Sequence, residues 1–98
     1  MTGLINPARG EAVLHVDGRP LILCLTMGAL TRLEAAFDVN SLEALEARLA
    51  RLSSRDVLVI ISALLCGASM TPEELAKAQI RPTEAAKAIT QAFEGAGA

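Results

Sequence analysis

The sequence predicts an α+β fold, mainly α, with an N-terminal two-stranded β-hairpin packed on a bundle of four to five short helices. Three observations predict it. The stretch "AVLHVDGRPLILCL" alternates apolar residues on either side of Asp17-Gly18. From Thr26 onward, apolar residues recur at helical spacing between capping residues. The chain is 52% hydrophobic but only 2% aromatic, so its 98 residues can bury one core built from Leu, Ile, Val and Ala. This gives a single domain, 1–98: an N-terminal arm over 1–10, the hairpin over 11–25, a helical part over 26–94 and a frayed tail over 95–98.

In the hairpin, Ala12, Leu14 and Val16 share one face of the first strand, and Leu21, Leu23 and Leu25 share one face of the second. Asp-Gly favours a tight turn because glycine accepts positive φ. A two-residue loop pairs Leu14 with Leu21, and a four-residue loop pairs it with Leu23. Either keeps the six apolar residues together, whereas a one-residue slip splits them, so the loop is expected to be even. Two strands alone are marginal in water, so helices must cover the leucine face. The opposite face carries Val13, His15, Ile22 and Cys24. This mixed surface is the candidate partner-binding face, with His15 a surface residue rather than a ligand or base.

Thr26 can cap a helix through Leu30, Leu33 and Phe37 that "DVN" then breaks. Asn40 or Ser41 opens a second helix with a stripe of Leu42, Leu45, Leu49 and Leu52. Its opposite side, Glu43, Glu46, Arg48 and Arg51, reads as a solvated face. "SSRD" supplies caps and an early acid before "VLVIISALLCGA", residues 57–68, which reads as a central helix by its length and its Ala/Leu content, although its β-branched start also fits a strand. "MTPEEL" and "IRPTEA" then repeat one helix-start pattern, with Pro72 and Pro82 at the first helical position. Thr71 and Glu74 form a capping box. Ala85, Ala86, Ile89 and Phe93 give the last helix its buried edge.

Charge and cysteine usage narrow the function. The net charge is −2, and seven Arg and two Lys are scattered among eleven acids, which disfavours nucleic acid as a partner. Two cysteines 42 positions apart and a single histidine offer no metal-ligand spacing; Cys24 and Cys66 read as buried free thiols. The most apolar run, twelve residues at 57–68, falls short of the ~20 a membrane span needs. No signal peptide is visible, so the cytoplasm of a host bacterium is the expected compartment. One His, no Tyr or Trp, and no phosphate loop leave little chemistry to assemble, so no catalytic, cofactor-binding or metal residues are nominated and an enzyme is not expected.

The opening "NPARGEAVLHVDGRPLILCLTMGALTRLEAAFDVNSLEAL" resembles the small tail assembly chaperone family encoded by gene transfer agents and related tailed phages. The resemblance is carried by Asn-Pro-x-Arg-Gly-Glu at 6–11, Asp17-Gly18, Gly-Ala-Leu-x-x-Leu-Glu at 28–34, Ser-Leu-x-x-Leu at 41–45, and the later "PEEL" and "RPTEA". It implies a non-enzymatic assembly factor that binds the tape-measure protein and the tail tube protein while a tail is built, with self-association also open. An open hairpin edge could serve such binding. The alternatives are a structural minor tail component and, less favoured given Glu73, Glu74 and Glu84 beside Lys77, Arg81 and Lys87, a helix-turn-helix DNA-binding regulator.

Overall fold

The computed structural model describes residues 11–97. The N-terminal arm expected over 1–10, the matching motif at 6–10 and Ala98 lie outside the described residues. The elements run β1 (Glu11–Val16), β2 (Arg19–Cys24), α1 (Met27–Phe37), α2 (Leu42–Leu49), α3 (Ser54–Leu64), β3 (Leu65–Cys66), α4 (Pro72–Lys77) and α5 (Pro82–Gly97). The α+β, mainly α architecture is therefore as the sequence predicts, with one strand added to the hairpin.

The turn takes the shorter of the two even loops. Leu14 pairs with Leu21 and Val16 with Arg19, leaving only Asp17 and Gly18 between the strands. Both have positive φ, 54° and 78°, as a type I′ hairpin turn requires. Ala12, Leu14, Val16 and Leu23 are buried under the helices, and Leu21 and Leu25 pack at the margin of the core. β3 pairs antiparallel with β2 on the side away from β1, giving a sheet of order β1-β2-β3.

Four of the five described helices begin where a side chain can accept an orphan amide. Thr26, Ser41, Ser53 and Thr71 take hydrogen bonds from Ala29, Ala44, Asp56 and Glu74. Ser53 with Asp56 and Thr71 with Glu74 form reciprocal capping boxes. Helix α1 stops because Asp38 turns left-handed, φ 56°, and the Val39 N–H bonds Glu34 O at 3.0 Å. Thr71→Ala is expected to destabilise the fold by about 1 kcal/mol, read as a lower urea midpoint with unchanged slope.

Helix α3 is central, packing against α1, α4, α5 and β2. Ile60, Ile61, Ala63 and Leu64 are buried, whereas Val57 and Leu58 flank the core half-buried. The helix is shorter than its apolar run. At Leu65 the chain turns extended, pairs with β2 through two residues, and reverses at Gly67, φ 78°. This corrects the expectation for Cys66, which is exposed while Cys24 is buried.

Two other corrections concern the helical surfaces. On α5 the buried positions are Ala85, Ala88, Ile89 and Ala92, with Phe93 half-buried; Ala86 is exposed. The helix spans Pro82–Gly97. On α2, Arg48 is more than solvated charge. Its guanidinium lies 2.9 Å from Asp56 Oδ2, donates to Arg51 O at 2.6 Å and sits 4.9 Å above the Phe37 ring, joining α1, α2 and the start of α3.

Candidate interaction surface

The outer face of the sheet is built by the same alternation that fills the core. With Leu14 and Leu23 turned inward, Val13, His15, Ile22 and Cys24 must turn outward. Register adds a residue that sequence reasoning does not place there: Val13 pairs with Ile22, and Ile22 with Cys66, so the three form one row across the sheet. Val13 and Ile22 are half-buried and Cys66 is exposed. Cys24 is 8% exposed, so it belongs to this face by register but offers little contact area. Met27, at the start of α1, is 78% exposed.

His15 does not stand alone. Its backbone N–H donates to Glu84 Oε2 at 3.1 Å, and its Nδ1 lies 2.7 Å from the same oxygen. One position into the turn, the Asp17 N–H donates to Gln79 O at 3.0 Å, and the Gln79 N–H donates back to Asp17 Oδ1 at 2.8 Å. The expected open edge is thus partly closed by the segment that leads into α5. An open cleft of about 1020 Å³ lies beside these contacts, lined by His15, Gly18, Gln79, Arg81, Glu84 and Lys87. Its charges are mixed, so it does not focus a field of one sign.

The same geometry holds two carboxylates ionised. Hydrogen bonding from the His15 ring, and then from its backbone N–H, lowers the pKa of Glu84 below its ordinary 4.5. The backbone N–H of Ser53, assisted by Arg48, lowers that of Asp56 below 3.8. A depressed folded-state pKa means that the stabilising contribution is present above the ordinary value and is lost as pH falls through the lower folded value. Urea midpoints are therefore expected to hold steady above pH 4.5 and decline below it, and Glu84→Gln with Asp56→Asn should make that decline shallower. An equally steep decline in the double variant would assign it to other groups.

Among the described residues, no group of three or more His, Cys, Asp and Glu side chains could hold a metal ion, and no helix is long and apolar enough to cross a membrane. What the surface does offer is apolar sheet face and strand edge, the chemistry of protein contact. The family model described as phage tail tube protein, GTA-gp10, matches residues 9–96, nearly the whole chain. The chain belongs to that family. No curated protein and no solved structure matches it. Membership in the GTA-gp10 tail tube family agrees with the resemblance to gene transfer agent and phage tail proteins, but its description is of a tube protein rather than an assembly chaperone.

Proposed function

We propose that this chain is a non-enzymatic structural component of a phage-like tail, and that it works by associating with further copies of itself and with neighbouring tail proteins. The observation that carries this reading is the match of residues 9–96 to a family described as tail tube proteins. The surface is compatible with it: the outer row Val13, Ile22 and Cys66 is apolar, and a tube component must present contact surface rather than a substrate pocket.

Association through such a surface responds weakly to salt, unlike phosphate binding. The purified chain is expected to assemble in a concentration-dependent manner, seen by sedimentation velocity and negative-stain microscopy. Val13→Lys with Ile22→Glu should abolish assembly while leaving the helical circular dichroism unchanged. A wild type that stays monomeric at all concentrations, yet keeps the tape-measure protein soluble and copurifies with it, would favour the second reading, a tail assembly chaperone. The resemblance of the 6–11, 28–34 and 41–45 motifs to the chaperone family supports that second reading.

A further inference from the structure

We propose that Gln79 and Glu84 guard the outer edge of β1, and that this edge, when released, pairs antiparallel with β1 of a second copy of the chain. The proposal deepens the tail-component reading and takes from it only that copies meet.

β1 is an outer strand of the sheet. Because the two-residue turn makes Val16 and Arg19, Leu14 and Leu21, and Ala12 and Leu23 the hydrogen-bonded pairs, Glu11, Val13 and His15 direct their N–H and C=O groups away from β2. An incoming strand would use these groups. Part of that edge is already taken from within the chain: Glu84 Oε2 accepts the His15 N–H, and Gln79 exchanges two hydrogen bonds with Asp17 at the turn. Glu11 also has a partner in the single chain. A carboxylate thus occupies a position where a neighbouring strand would bind, with Gln79 closing the turn beside it, a means of blunting an edge against pairing. The guard is held loosely, since the His15 and Glu84 side chains are 52% and 28% exposed.

The residues of β1 identify the partner that fits. Pairing β1 with itself about Val13 sets Val13 opposite Val13, Ala12 opposite Leu14, and Glu11 opposite His15, the last two occurring twice by symmetry. Apolar residues meet apolar residues, and an acid meets an imidazole. The interchain bond to the His15 N–H needs the donor that Glu84 holds, so guard and partner exclude each other. On pairing, His15 exchanges Glu84 of its own chain for Glu11 of the second copy. The product is a six-stranded sheet of order β3-β2-β1-β1-β2-β3.

Sedimentation velocity on the full chain tests this with wild type, Glu84→Ala, and Glu84→Ala combined with Val13→Pro or with Glu11→Lys. Because both copies must release their edge, a released population of about 10% in wild type means that Glu84→Ala should tighten self-association about a hundredfold. The Val13 N–H points away from β2, so proline there deletes no bond of the hairpin and keeps an apolar side chain on the outer face. It should reverse the gain. Glu11→Lys, which places a cation opposite His15 and leaves the backbone intact, should also reverse it if the proline variant fails to fold. The proposal is overturned if Glu84→Ala associates no more tightly than wild type, or if its gain survives both second substitutions. Wild-type assembly undiminished by Val13→Pro or Glu11→Lys likewise overturns the edge, while leaving the tail-component reading standing.

Discussion

Ile61→Ala is expected to lower the unfolding free energy by about 2–5 kcal/mol, the largest effect of any single substitution considered. Ile61 is fully buried on α3, the helix that touches α1, α4, α5 and β2, so the lost methylenes leave a cavity that no one neighbour can fill. Leu64, one turn on and 1% exposed, should behave alike. For a small domain whose whole stability is of order 5–15 kcal/mol, this is a substantial fraction. Urea denaturation followed by circular dichroism gives the number. Near-neutral effects at both sites would mean that the apolar run of α3 faces solvent or a partner, exchanging the roles assigned to core and interface.

Gly18→Val is expected to cost roughly 1–2 kcal/mol, for a reason that involves no packing. A Cβ at Gly18 would meet nothing within 4 Å, so the cost is the positive φ of 78° alone. Valine suffers most because its branched side chain is also restricted at χ1. Gly18→Ala should retain much of the loss, which separates backbone strain from side-chain bulk. An unchanged melting midpoint in the valine variant would remove the tight-turn reading, and with it the pairing of Val13 with Ile22 that aligns the outer row.

The facing of the hairpin strands was legible because a period of two on both strands agreed with a dipeptide suited to positive φ, whereas the choice between the two even loops, and so the register, came only with the structure. Helix starts were legible for a similar reason, since Thr26, Ser53 with Asp56, and Thr71 with Glu74 act on amides within three residues. Features set by distant partners were not. β3 has only two residues, and nothing in "ALLCGA" shows that it will pair with Ile22 and Leu23; Cys66 became exposed as a consequence. Arg48 looked like solvated charge because Asp56 and Phe37 come from other helices. Alanine carries almost no directional signal, so the exposed Ala86 and the buried Ala88 were indistinguishable by pattern.

The candidate surface divides along the same line. Alternation alone placed Val13, His15, Ile22 and Cys24 on one face, and the structure brings Cys66 into their row. The closure of the edge depends on Glu84, 69 positions from His15, and on Gln79, 62 positions from Asp17. In the sequence Glu84 stands only among the acids that disfavour a DNA-binding reading. Its carboxylate instead reaches past α5 to the hairpin, a contact that only the packing of α5 on β1 creates.

The central claim, that this chain is a built-in part of a tail, is tested most directly by quantitative mass spectrometry of intact, purified phage-like particles from the cells that encode it. The chain should be present in a fixed ratio to the other tail proteins, and the same ratio should persist after the particles are repurified. Its abundance in the assembling cell combined with absence from mature particles would contradict a structural role and leave an assembly factor that departs before the tail is complete.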